Sequence, residues 1–378
     1  MQTTLSRMGR IYRVLRKTHG RWIVPWFIGA AFGTLRTLVG ACMALDNLFA
    51  GFRRASVRSP IVLVGNPRTG TTFLQRFLAA QGFGCGMELF LMLYPSVILQ
   101  KLLRPLLPIL EKVSPAKYHS TAAHKTSLSS VETDDVGVFF RYLDGFFLYG
   151  FFLSFDDEDM LPTVDPKQRD TSDRDFAWLE GLWRRSLVVH KADRNVAKLF
   201  SLAPRLPAFM ERFPEAKVLY MVRDPLAVIP SAMSLVSGVL DRAFGFWSLP
   251  EDVRQRWLDR MYDAWVMLFR RFHDDWTSGA IDRDRVFVVR YDRMIQDFEG
   301  LMAEMCEFLD HEMTPDLRET IRDRAEKQRA YQSEHEYDLE KFGLNADRIR
   351  RDCEFVYSTF LPPVEPTEAA PVLASDAS

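Results

Sequence analysis

The chain has 378 residues, enough for one large domain or two ordinary ones. Its hydrophobic share of 47% and charged share of 26% exclude a chain that is disordered throughout, and a formal net charge of −1 excludes bulk attraction to nucleic acid. Four cysteines, Cys42, Cys85, Cys306 and Cys353, stand far apart without a Cys-x-x-Cys pair, which argues against a structural zinc site or a disulfide framework and fits a reducing, cytoplasmic setting.

The N-terminal stretch is basic and then apolar. Arg10, Arg13, Arg16, Lys17 and Arg21 precede a run from Trp22 to Leu35 that is nearly free of polar groups. Arg36 and Thr37 interrupt it before Leu38–Leu45. A spanning helix needs about 20 uninterrupted apolar residues, so Arg36 is badly placed for a span. The pattern predicts an apolar helical extension over residues 1–57, lying in or dipping into a membrane face and making the protein peripheral through residues 10–50. A helical cap packed on the protein's own core is the main alternative, and a true span the lesser one.

From residue 60 the pattern becomes that of an α/β domain extending to residue 361. Ile61–Val64 is β-branched and apolar, as in a buried parallel strand, and residues 71–81 follow as a helix. Residues 88–112 suggest apolar helix broken by Pro95, Pro105 and Pro108. Residues 114–135 suggest a polar loop over a site, and residues 156–174 an exposed acidic excursion. Ser186–His190 is a candidate strand, and residues 197–202 a short apolar piece. Residues 206–213 predict a helix, Val218–Val222 a buried strand, and Leu226–Leu235 the start of another helix. Residues 251–277 form a long amphipathic helix, Val286–Tyr291 a last strand, and residues 298–309 a helix behind it. Strands alternating with helices predict one P-loop-type doubly wound parallel sheet flanked by helices. Residues 362–378, rich in Pro, Ala and Ser, suggest a disordered tail.

The first strand ends in Gly65-Asn-Pro-Arg68-Thr69-Gly70-Thr71-Thr72. The two glycines have the spacing of a nucleotide-binding P-loop, but Thr71 stands where that loop has its lysine. A strand–turn–helix junction presents converging N–H groups and the positive end of a helix dipole to an anion. Without the lysine, γ-phosphoryl transfer loses its main cation. A ligand with a single 5′-linked phosphate and no magnesium-bridged triphosphate fits better, with Arg68 on a leaving group. A second constellation, Arg223 closing a strand and Ser231 eight residues on, suits another phosphate. Pairing of Arg223 with Asp224 is the structural alternative.

Pro67-Arg-Thr-Gly-Thr-Thr72 resembles the 5′-phosphosulfate loop of sulfotransferases, P-[K/R]-[S/T]-G-T-T, and Arg223 with Ser231 resembles their 3′-phosphate motif. The resemblance spans roughly residues 58–361. Its late part, Tyr331 to Leu344, looks like a bacterial branch related to the tyrosylprotein sulfotransferases. It implies 3′-phosphoadenosine 5′-phosphosulfate (PAPS) as co-substrate and no metal. Binding would fall to Arg68, Thr69, Gly70, Thr71, Thr72, Arg223 and Ser231. Arg68 would neutralise the bridging oxygen as the S–O bond breaks, and Lys198 would face the developing sulfate charge.

Three groups compete as the base that takes the acceptor's proton. Glu88 lies twenty residues past Arg68, as the catalytic glutamate does in tyrosylprotein sulfotransferases, and is the preferred choice. His124 and Glu132 form the H-x7-E segment of the bacterial branch. Arg329 and His335 are placed to close over the nucleotide. Phe139, Phe140, Phe146, Phe147, Phe151 and Phe152 fit core packing or an apolar pocket for a small-molecule, lipid or glycan hydroxyl. A kinase-like P-loop NTPase and a non-catalytic, membrane-attached binder of the desulfated nucleotide are the other classes.

Overall fold

The computed structural model describes residues 3–48, 56–113, 127–329 and 339–361. Two helices come first, α1 (Thr4–His19) and α2 (Val24–Asp46). They part where Gly20 turns left-handed, with φ of 62°, and Pro25 starts the second helix. Strand β1 (Ile61–Val64) leads into α3 (Thr71–Ala80). Prolines then cut the apolar stretch into α4 (Leu89–Leu93), α5 (Val97–Leu103), a 3₁₀ turn and α6 (Leu107–Val113). Helices α7 (Asp135–Tyr142), α8 (Phe146–Phe151) and α9 (Ser172–His190) precede β2 (Val196–Lys198). Next come α10 (Leu206–Arg212) and β3 (Lys217–Val222), then α11 (Pro225–Phe244), α12 (Glu251–Ser278) and β4 (Val286–Arg290). Five further helices close the described chain: α13 (Tyr291–Gln296), α14 (Phe298–Phe308), α15 (Pro315–Arg329), α16 (Ala346–Asp352) and α17 (Glu354–Phe360).

The strands form one parallel sheet in the order β2-β1-β3-β4. Strand residues alternate between two cores, as the period of two requires. Val62, Val64, Val218 and Tyr220 pack with Trp257 and Met261 on one face. Ile61, Leu63, Leu219 and Met221 pack with Leu74, Leu78 and Leu301 on the other. Helices therefore cover both faces, and β1 and β3 are buried along nearly their whole length. The chain winds from β1 to β2 on one side, then crosses to β3 on the other. The carboxyl ends of β1 and β3 thus flank the switch point where such sheets bind ligands.

Two expectations need correction. Ser186–His190 is not a strand but the last turns of α9. Leu179, Leu182, Trp183, Ser186 and Leu187 are buried at helical spacing, while Val188 faces outward. The acidic excursion is not simply exposed: Asp156 and Asp165 are buried. While Asp165 is held by Arg271 of α12, three other acids of this segment are held by the basic helix α1, with Arg10 on Asp156 at 3.2 Å and on Glu158 at 2.7 Å, and Lys17 on Asp157 at 2.9 Å. That pairing was hidden in the sequence because the partners lie about 140 residues apart.

The N-terminal helices are anchored at both ends by the domain itself. Buried Arg7 donates to the Leu143 carbonyl at 2.9 Å and the Tyr142 carbonyl at 3.0 Å, capping α7 from outside. At the far end, buried Asp46 accepts from the N–H groups of Val97 and Ile98, at the start of α5. It also meets Arg185 at 3.4 Å. Between these anchors α2 packs through Val39 and Met43 against Leu99, yet Trp22, Trp26, Phe27 and Ile28 remain exposed. Leu102, Leu106 and Ile109 on the adjoining α5–α6 segment are exposed as well. Residues 362–378, expected to form a disordered tail, lie outside the described residues.

Candidate active site

The turn after β1 has a backbone that side chains would obstruct. Gly65 has φ of 137°, and a Cβ there would meet the Met221 carbonyl oxygen at 2.3 Å. Gly70 has φ of 89°, and its Cβ would strike the Met294 methyl at 2.3 Å. Arg68 itself is left-handed, with φ of 75°, an uncommon conformation for a residue with a side chain. Internal bonds hold the curl: the Thr69 hydroxyl donates to the Asn66 carbonyl at 2.8 Å, and the Asn66 amide to the Trp265 carbonyl at 3.1 Å. Gly70 then serves as N-cap of α3, so Thr71 and Thr72 occupy its first turn.

The two sequence constellations meet at the switch point. The Arg68 guanidinium donates through Nε to the Ser231 hydroxyl at 2.8 Å. Arg223 donates through Nη1 to the Arg68 carbonyl at 3.0 Å, and its guanidinium lies over the Tyr291 ring at 4.1 Å. Asp224 does not pair with Arg223. It caps α11 by accepting from the Leu226 N–H at 2.8 Å, and it accepts from the Tyr357 hydroxyl at 2.6 Å. Arg223 therefore stays turned to the loop after β1, and Tyr291 beneath it was not foreseen. Its only sequence signal is an aromatic residue directly after a strand.

Lys198, at the end of β2, reaches the first turn of α3, where Nζ donates to the Thr72 hydroxyl at 2.9 Å. The side chain is buried, and burial pushes its pKa below the usual lysine value, while nearby Glu132 pulls the other way. A clamp that sequence reasoning missed fixes this lysine. Buried Asp134 accepts the Lys198 backbone N–H at 3.0 Å through one oxygen and the Trp183 indole N–H at 2.8 Å through the other. In return the Asp134 N–H donates to the Lys198 carbonyl at 2.8 Å. Asp135 accepts from the Phe200 N–H at 2.9 Å and from the Ser201 and Thr133 hydroxyls. Burial pushes Asp134 up to about 7 against the pull of its hydrogen bonds. Two acids just ahead of an apolar run signal a helix start, which gave no sign of the strand they also hold.

Of the proposed bases, Glu88 is half-buried at the N-cap of α4, with no side-chain capping bond. Its backbone bridges to Val131, so the 128–132 segment lies beside it. Glu132 is buried and engaged, by Arg76 at 3.2 Å and the Ser130 hydroxyl at 3.1 Å. His124 and His335 lie outside the described residues, as does most of the late segment from Tyr331. Arg329 is exposed at the end of α15 and pairs with Glu299 at 3.3 Å.

A strand–loop–helix turn beside an arginine–serine pair, at the switch point of a parallel sheet, defines an α/β protein whose backbone donors and cations suit an anion. Comparison with known proteins gives the class its name. A profile described as "Sulfotransferase family" matches residues 60–315, more than half of the chain, and the chain belongs to that family. It is 25% identical over 331 residues to omega-hydroxy-beta-dihydromenaquinone-9 sulfotransferase Stf3 of Mycobacterium bovis, covering 83% of this chain and 80% of the relative. The same figures hold for the Mycobacterium tuberculosis protein of that name. In fold it is similar to the crystal structure of sulfotransferase STF1 from Mycobacterium tuberculosis H37Rv, with TM-score 0.69, 17% identity, and 92% and 90% of the two chains covered. Sulfotransferase STF9 from Mycobacterium avium superimposes with TM-score 0.61 at 17% identity over 84% and 81%. The chain is a sulfotransferase of the bacterial kind.

Proposed function

We propose that this sulfotransferase takes its sulfuryl group from PAPS and passes it in line to a hydroxyl of an apolar, membrane-resident acceptor. The observation that carries the reading is the contact of Arg68 with Ser231 and of Arg223 with the Arg68 carbonyl. It sets the residues expected to hold the 5′-phosphosulfate beside those expected to hold the 3′-phosphate. The left-handed backbone at Gly65, Arg68 and Gly70 supports a fit to a compact anion, since it curls the N–H groups of the turn inward.

Each residue then has a task. The amides from Thr69 to Thr72 and the start of α3 hold the 5′-phosphate. Arg223, braced on Tyr291, and Ser231 hold the 3′-phosphate. The acceptor oxygen bonds to sulfur while the bond from sulfur to the bridging oxygen breaks, and the bisphosphorylated nucleotide departs. Arg68 neutralises charge on that bridging oxygen. Lys198, locked by Asp134 and seated on Thr72, faces the charge on the transferred group. Glu88 takes the acceptor's proton, with His124 and Glu132 as the alternatives.

The acceptor class rests on apolar surface and on a relative. The exposed Trp22, Trp26, Phe27 and Ile28 of the α1–α2 elbow fit a protein that rests on the cytoplasmic face of a membrane. Helix α2 has the length and hydropathy of a membrane segment while only 11% of its apolar window is buried. The Stf3 relatives are named for a hydroxylated dihydromenaquinone. Incubation with ³⁵S-labelled PAPS and separate pools of long-chain lipid alcohols, simple phenols and glycans tests the proposal. Label is expected in the lipid alcohols. Label confined to glycans would overturn the acceptor class, and no donor-dependent label in any pool would overturn the donor.

A further inference from the structure

Between α2, α4 and α7 lies a shallow, open-sided cleft that encloses about 30 Å³. Its walls are apolar, with Phe32, Leu35 and Val39 from α2 and Phe140 and Trp178 opposite. Two arginines, Arg36 and Arg141, line it with them. Arg141 is stacked over the Trp178 ring at 4.8 Å, and Trp178 is fixed in turn by its indole N–H on the Gly137 carbonyl at 3.0 Å. Among the described residues neither arginine has a carboxylate partner, and the Arg141 Nε is buried with no hydrogen-bond acceptor. Both are half-buried, whereas the fully buried Arg7 and Arg185 nearby each have a carboxylate partner.

Two half-buried guanidinium groups lining one apolar groove repel each other, and an anion seated between them relieves that repulsion. Burial and the charge of Arg141 both push the Arg36 pKa below its ordinary value, which is what a missing counter-charge produces. Aliphatic walls alone would suit a neutral chain, and paired arginines alone a free anion. Together they select an amphiphile with a tetrahedral oxyanion on an apolar tail. The cleft opens beside the exposed face of α2, where such a molecule would arrive from a bilayer.

We infer that Arg36 and Arg141 form a second anion site, separate from the nucleotide cleft, that holds the phosphate or sulfate head of an apolar chain. The site uses none of the residues assigned to sulfuryl transfer, so its failure and the failure of that reading are distinguishable. The source of the head group is an anionic phospholipid or a sulfated lipid, and the test separates the two.

Binding to the full-length protein is measured by calorimetry with octyl phosphate, octyl sulfate, octanol and inorganic phosphate, and by flotation with phosphatidylcholine vesicles with and without phosphatidylglycerol. The wild type is expected to bind one or both octyl anions at least tenfold more tightly than octanol or inorganic phosphate. Arg36→Gln and Arg141→Gln are each expected to lose at least that factor, and Leu35→Trp, which fills the cleft while leaving both charges, to lose it too. Retained binding of adenosine 3′,5′-bisphosphate and an unchanged melting midpoint show that a variant is folded. Preference for octyl phosphate together with Arg36-dependent flotation on phosphatidylglycerol identifies a phospholipid head, and preference for octyl sulfate identifies a sulfated lipid. Equal affinity of the glutamine variants and wild type, or inorganic phosphate binding as tightly as octyl phosphate, overturns the inference.

Discussion

The Arg68 guanidinium holds the Ser231 hydroxyl at 2.8 Å across 163 residues of chain. The loop that follows β1 and the helix that follows β3 are thereby joined at the point where both would touch a nucleotide. In the roles proposed for them, a leaving-group cation bonded to the far phosphate's serine would be steered by whatever that serine binds.

Removing this cation tests its role. Arg68→Ala is expected to lower sulfuryl transfer by about 10²–10³-fold, the usual effect of deleting one charge-stabilising donor. Single-turnover rates with saturating donor measure it. Unimpaired transfer would remove Arg68 from the chemistry.

The proton acceptor is separable by mutation. Glu88→Gln is expected to reduce kcat by about 10²–10⁴-fold at unchanged donor affinity, and His124→Ala much less. If His124→Ala alone collapses kcat, the assignment passes to the histidine. If both keep full rates, neither is the base.

The Asp134 clamp predicts a stability effect. Both carboxylate oxygens accept from buried N–H groups, of Lys198 and Trp183. Asp134→Asn must turn its amide nitrogen toward one of those donors, leaving a buried pair unmade at about 1–3 kcal/mol. Denaturant unfolding of the variant measures the loss, and an unchanged midpoint would show that the clamp has little hold on β2.

Acid is expected to loosen the N-terminal helices through His19. This imidazole is stacked on Phe244 and meets Phe155 edge-on, with both nitrogens buried and unpartnered among the described residues. Burial, with Arg21 nearby, pushes its pKa down to about 4 from 6.5. As pH falls through 6.5 the unfolded chain takes up a proton that the folded chain refuses, so the folded state loses stability between pH 6.5 and 4. The wild-type melting midpoint should drop about 2–4 °C more than that of His19→Phe between pH 7 and 5. The lower end is expected, because the ring is partly exposed. Parallel curves would assign the acid sensitivity elsewhere.

Local features of the fold and site were legible in the sequence. The aliphatic runs of β1, β3 and β4 and the glycine turn after β1 depend on neighbours within a few residues. Strand β2, with only three residues, was displaced to Ser186–His190, where two adjacent valines outweighed the helical spacing of Leu179, Leu182, Trp183 and Leu187. The bonds that define the site are long-range. Lys198 meets Thr72 across 126 residues, and Asp134 meets the Lys198 N–H across 64. No periodicity encodes such partners. The same holds for α1, where Arg10, read in the sequence as part of a basic flank, finds its acids far along the chain at Asp156 and Glu158.

Titration calorimetry with adenosine 3′,5′-bisphosphate tests the central claim most directly, that the two constellations grip opposite ends of one nucleotide. The wild type is expected to bind one equivalent, and Arg223→Ala and Ser231→Ala each to weaken it about tenfold or more, as loss of a hydrogen bond to a charged group implies. No uptake by the wild type, or undiminished affinity in both variants, would contradict it.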